Sequence, residues 1–146
     1  MHTFKKILLP FDGSATSNRA LDMALKLANG SSVKLRIIHS IDELAYISGY
    51  EYSADYFSIA REYGQKILDE ALNKAKTAGV DADVKLIDLP AQRLGETVAT
   101  EAREWGADLI VVGTHGRKGI GRVFLGSGAE QIIRLAPVPI LVIRGE

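Results

Sequence analysis

Leu109-Ile110-Val111-Val112-Gly113-Thr114-His115-Gly116-Arg117-Lys118-Gly119-Ile120-Gly121-Arg122-Val123-Phe124-Leu125-Gly126-Ser127-Gly128 opens with four apolar residues, passes through a glycine-rich run and leads into a segment with helical spacing. That order reads as a buried strand, a loop and a helix N-terminus. Such a junction can hold phosphate: N–H groups left unpaired at a helix start converge there, the helix dipole favours negative charge, and glycine lets an anion approach the main chain.

Working outward, apolar runs alternate with helical periodicities along the whole chain, the pattern of strands joined by crossover helices. Ile7 to Pro10 reads as the first strand. Asp12-Gly13-Ser14 turns the chain, Ser14 or Thr16 supplies an N-cap, and Leu21, Ala24, Leu25 and Ala28 share a helix face that stops at Gly30. Val33 to His39 is the second strand. Residues 40 to 56 hold four of the five tyrosines, at 46, 50, 52 and 56, and read as a covering loop or as a lead-in to the next helix.

In that helix Ile59, Tyr63, Ile67, Leu68, Ala71, Leu72 and Ala75 share a face, Gly79 closes the end, and Gly64 weakens the interior by about 1 kcal/mol relative to alanine. Val84 to Asp88 is the third strand. Leu94, Val98 and Ala102 mark a third helix ended by Gly106, Ser127 to Leu135 a fourth stopped by Pro137 and Pro139, and Ile140 to Ile143 a last strand. The order βαβαβαβαβ with right-handed crossovers predicts an α/β fold, a doubly wound, mainly parallel five-stranded sheet with helices on both faces. Ligands of such sheets sit beyond the strand C-termini where the winding reverses, and the ends of strands one and four, with Asp12 and the glycine loop, are the candidates.

With 146 residues, 47% hydrophobic and 25% charged, residues 1–146 suit one domain with a substantial core. Eighteen basic against eighteen acidic residues leave no net charge and so no bulk attraction to nucleic acid or an anionic membrane. The absence of cysteine excludes disulfides, thiolate metal sites and cysteine nucleophiles. No apolar stretch reaches the length of a signal peptide or a membrane span, so the expectation is a cytoplasmic protein without membrane insertion.

Two familiar phosphate fingerprints fit the loop badly. G-x-G-x-x-G belongs in the first βα turn, which here is Asp12-Gly13-Ser14, and Gly119-Ile120-Gly121 lacks the third glycine. A P-loop needs lysine where Ser127 stands. The spacing that remains, Gly113, two residues, Gly116, nine residues, Gly126-Ser127, resembles the nucleotide-binding signature of the universal stress protein family, in its ATP-binding branch. The likeness extends through Lys5-Lys6-Ile7-Leu8-Leu9-Pro10-Phe11-Asp12-Gly13-Ser14, residues 37 to 42, residues 107 to 116 and residues 136 to 144.

The resemblance implies an adenine nucleotide α-hydrolase-like, Rossmann-like fold that binds ATP, AMP or ADP, with Mg2+ bridging phosphate oxygens. Carried to matching positions, Pro10, Asp12 and Ser40 line the adenine and ribose side, and Gly113, Gly116, Arg117, Gly126, Ser127 and Gly128 hold the ribose and phosphates. Ser40 departs from the apolar residue common there, at little cost because that contact is largely through the backbone. The family also implies a homodimer through Val138 to Ile143 at a sheet edge, with higher oligomers open, and regulation of another protein by nucleotide state.

Each residue has a plainer reading beside this one. Asp12 before Gly-Ser is a common turn and capping arrangement. Ser127 can cap the fourth helix and meet a phosphate at once. Arg117, Lys118 and Arg122 form a solvated basic loop or neutralise a triphosphate, with Arg117 assigned because it follows Gly116. His39 and His115 have no serine or carboxylate at motif spacing and are given no catalytic role. The tyrosine-rich stretch lacks interleaved lysine and arginine, which argues against nucleic acid. Without a placed base and transition-state cation, ATP hydrolysis should be slow or absent. The alternative is an adenylyl-transferring or ATP-hydrolysing enzyme of the α-hydrolase group.

Overall fold

Central strands of a parallel sheet are buried on both faces and therefore read as unbroken apolar runs. Ile7 to Leu9 and Leu109 to Val112 are such runs, and every residue in them is buried. They form β1 (Lys6–Pro10) and β4 (Leu109–Gly113), neighbours in an all-parallel five-stranded sheet of order β3-β2-β1-β4-β5. The remaining strands are β2 (Lys34–Ser40), β3 (Asp81–Ile87) and β5 (Ile140–Ile143). Four helices join them in alternation: α1 (Ala15–Ala28), α2 (Ser53–Thr77), α3 (Leu94–Trp105) and α4 (Ser127–Leu135). The computed structural model of the chain describes residues 4–30, 32–41, 53–88, 92–114 and 126–144, without the side chains of 53–56 and 127.

Side chains alternate across each strand, so the sheet feeds two cores. Ile7, Leu9, Leu35, Ile37, Leu109 and Val111 pack with α1 and α2, whose Leu21, Ala24, Leu68 and Ala71 are buried against them. Leu8, Ile38, Ile110 and Val112 face the other way, onto Val98 and Ala102 of α3 and Ile132 of α4. Helices leaving β1 and β4 thus cover opposite faces, and the winding reverses between those two strands.

Several boundaries differ from the sequence reading by one residue or more, and three of them bear on the sheet edge or the cleft. β3 begins at Asp81 instead of Val84, because Asp83 pairs directly opposite Arg36 on β2 and takes its guanidinium in two bonds of 2.9 Å. A cross-strand ion pair keeps in the ladder a stretch whose aspartates disfavour strand. Buried Glu101 of α3 closes the network from above, accepting from Arg36 at 3.0 Å and Lys85 at 2.8 Å, while Trp105 lies 4.8 Å from the guanidinium. The bond to Asp83 above all, and that to Glu101 after it, lift Arg36 above its ordinary pKa against the opposing effect of burial.

The second difference is that β2 runs on to Ser40. The third concerns α2, which already begins at Ser53, whereas Tyr46, Tyr50 and Tyr52 lie outside the described residues. Its expected apolar face is only partly core: Ile67, Leu68, Ala71 and Ala75 are buried, but Ile59 is 63% and Tyr63 50% exposed. The first turns of α2 overrun the sheet, so periodicity there does not mean burial. Gly64 offsets its helix-weakening effect by close approach, since a Cβ would lie 2.7 Å from His39 Cδ2 and 2.9 Å from Leu86 Cδ1.

Candidate functional site

Where β1 and β4 send their helices to opposite faces, a cleft opens at the carboxyl ends of the strands. Its walls are Pro10 ending β1 and Phe11 and Asp12 after it, Ile38 to Ser40 ending β2, and Val112 and Gly113 ending β4. Ser14, Thr16 and Ser17 of the first helix, Leu94 of α3, and Gly128, Ala129 and Ile132 of α4 complete it. Of the residues singled out in the sequence, Pro10, Asp12, Ser40, Gly113 and Gly128 therefore surround one space. Gly126 is buried at the N-cap of α4, and Ser127 is that helix's first residue. Gly116 and Arg117, with His115, Lys118 and Arg122, lie outside the described residues.

Helix starts at this cleft differ in how their N–H groups are used. Ser14 caps α1: its Oγ accepts from the Ser17 N–H at 3.2 Å, and the Ser17 hydroxyl returns a bond to the Ser14 carbonyl at 3.0 Å. At α3 the Gly95 N–H donates to Gln131 Oε1 at 3.0 Å. Before α4 stands Gly126, which has no side chain to offer, and the first backbone bond is from the Glu130 N–H to the Gly126 carbonyl at 3.1 Å. The N–H groups of Ser127, Gly128 and Ala129 precede that bond and so have no partner within the helix. Gly128 and Ala129 line the cleft.

The glycines have structural duties as well. Gly126 has φ 78° and ψ 150°, a region closed to residues with a Cβ. A Cβ on Gly113 would lie 2.6 Å from Thr16 Cγ2 and 2.7 Å from the Thr16 carbonyl oxygen, so its bareness lets α1 rest on the end of β4. On Gly128 a Cβ would meet, among the described residues, the Leu94 Cδ2 methyl at 2.8 Å.

Asp12 is exposed and makes the plain turn contact, its Oδ1 accepting from the Ser14 N–H at 2.9 Å. His39 Nδ1 lies 2.9 Å from the Phe11 carbonyl oxygen, which makes Nδ1 the protonated nitrogen of the neutral ring. Sequence reasoning did not connect His39, Thr16 or Tyr63 to the site; the one signal was Gly64, a glycine inside a helix, which marks close approach. Among the described residues no cluster of three histidines or carboxylates is placed to hold a metal ion, and no helix is long and apolar enough to cross a membrane.

Comparison with known proteins matches residues 3–144 to the model of the universal stress protein family. A universal stress protein of Staphylococcus haemolyticus is 33% identical over 148 residues, covering 100% of this chain and 88% of that one. A solved structure of a family member from Burkholderia pseudomallei superposes with a TM-score of 0.78 at 32% identity, over 95% of both chains. A universal stress protein solved in complex with cAMP gives 0.68 at 26%, over 98% of both. An Arabidopsis thaliana member with AMP bound gives 0.69 at 18%, over 97% of this chain and 92% of that one, a likeness of fold. With its whole length matched in sequence and its sheet order, switch point and glycine-led fourth helix in place, the chain belongs to the universal stress protein family.

Proposed function

We propose that the cleft binds an adenine nucleotide, ATP with Mg2+ or the shorter AMP and ADP, and that this is a regulatory module of the ATP-binding branch. The observation that carries the reading is the start of α4, where Gly126 adopts a glycine-only conformation and three N–H groups without helical partners open the helix beside the cleft. Family members with cAMP and AMP bound support the choice of an adenosine ligand. In this reading Pro10, Asp12 and Ser40 take the base and ribose. Gly113, Gly126, Ser127 and Gly128 take the ribose and phosphates, helped by Gly116 and Arg117 from the loop. Magnesium suits a site where phosphate oxygens supply most ligands, since it keeps waters and needs few carboxylates.

Asp12 and His39 are the titratable side chains among the described residues lining the cleft, and each is already engaged, by the Ser14 N–H and the Phe11 carbonyl. Neither is set to activate water, so turnover should fall below about 1 per second, the low end of ordinary enzymes. Calorimetry with ATP and magnesium, and with AMP, tests the binding; the expected result is one site per chain, and no heat with either ligand would end the proposal. Pyrophosphate release with carboxylic acids would identify an adenylyl-transferring enzyme instead.

The same reading includes a cytoplasmic homodimer whose nucleotide state alters a surface offered to a regulated protein. The two sheet edges differ in kind. β3 carries Asp81, Asp83 and Lys85, the charges that discourage edge pairing, whereas β5 is Ile140-Leu141-Val142-Ile143, half-buried throughout, and the helix α4 before it exposes Ile133 and Leu135. Carbonyls of Pro139 and Ile143 accept from Ile110 and Thr114, so by alternation the Val142 N–H points away from the sheet. Val142→Pro removes that outward donor and leaves the bonds to β4. Light scattering should then show monomers where the unaltered chain gives dimers; a monomer in both would remove the dimer from the proposal.

A further inference from the structure

The turn after β1 is held by His39 of β2, which lines the cleft, and by Tyr63 of α2, which no site assignment includes. Phe11 donates its N–H to the Ile38 carbonyl at 2.8 Å, and its own carbonyl is taken by His39 at 2.9 Å. The next carbonyl, that of Asp12, accepts from the Tyr63 hydroxyl at 3.3 Å. That hydroxyl sits where a side chain on Gly13 would go, 2.8 Å from the Cβ position, and the Tyr63 ring meets His39 edge-on at 6.3 Å. Gly64 lets the helix come near enough for both contacts.

Half-exposed Tyr63 adds little to the core, yet its hydroxyl ends on Asp12, a residue that lines the cleft. We propose that Tyr63 is a positioning residue for the nucleoside end of the ligand: it holds the Asp12-Gly13 turn, and through it aims the Asp12 carboxylate at base or ribose. This rests on the adenine-nucleotide reading and deepens it. Fixing a binding turn before the ligand arrives removes an ordering cost from association, so losing the clamp weakens binding without removing any ligand contact.

The experiment compares ATP and AMP dissociation constants for the unaltered chain and Tyr63→Phe, with melting temperatures measured alongside. Loss of one hydrogen bond predicts about a three- to tenfold weakening. Because the clamp serves the end that ATP and AMP share, both ligands should weaken by the same factor at unchanged melting temperature. In an Asp12→Asn background the added Tyr63→Phe change should weaken binding less than it does alone, since the two act as a unit. Unchanged affinity overturns the inference, as does a loss confined to ATP, a loss matched by a lower melting temperature, or full additivity with Asp12→Asn. An unaltered chain that binds neither ligand sinks the functional reading and this inference together, whereas tight binding untouched by Tyr63→Phe sinks this inference alone.

Discussion

Gly126→Val should weaken adenine nucleotide binding by about a hundredfold or more, the equivalent of about 3 kcal/mol. Gly126 holds φ 78° and ψ 150° in a buried position, and valine cannot follow it there. To relax, the Gly126-Ser127 peptide must rotate, which swings the leading N–H of α4 off the line on which an anion would meet it. The strain of keeping the native backbone costs about 1–3 kcal/mol. Domains of this size are stable by about 5–15 kcal/mol, so the chain should still fold. Calorimetry supplies the affinity and far-ultraviolet circular dichroism the fold; an intact protein that binds as tightly as before would show that the phosphates lie elsewhere.

Gly113→Val should act on the other quantity. A Cβ there meets the Thr16 backbone at 2.7 Å, and main chain cannot step aside as a side-chain tip can. α1 must lift from the end of β4, disturbing a layer that includes Leu21, Ala24 and Val111. Overpacking of this kind costs about 3 kcal/mol, or about 10 °C in melting temperature for a chain of this length. Thermal unfolding followed through Trp105, the chain's only tryptophan and far from the cleft at the last turn of α3, would read it directly. A melting temperature within a degree or two of the unaltered value would mean that α1 does not press on Gly113. Any loss of nucleotide affinity in this variant is secondary to the shifted helix, which is why Gly126 and not Gly113 tests the phosphate assignment.

These two glycines show how far the chain could be read before it was seen folded. Both stood out by their spacing in the loop, but spacing could not distinguish a glycine demanded by its backbone angles from one demanded by a helix lying across it. The same holds elsewhere in the cleft. Pro10, Asp12, Ser40, Gly113 and Gly128 were singled out on separate segments and surround one space, whereas Tyr63 read as core because it keeps helical step with Ile67 and Ala71. Periodicity reports which residues share a face. It does not report where the sheet beneath that face stops.

What was legible along the chain is local: unbroken apolar runs for strands buried on both faces, and glycine or proline where a helix must end. α4 and β5 fall at the expected bounds for that reason, their limits set by Gly126, Pro137 and Pro139 within a few residues. What folding added is the meeting of distant segments. The Tyr63 hydroxyl and the Asp12 carbonyl are 51 residues apart in sequence, and Arg36 reaches Glu101 across 65. Those contacts depend on which strands become neighbours and how closely each helix beds on the sheet, and such distances come from packing the whole chain, with no counterpart in any short window of it.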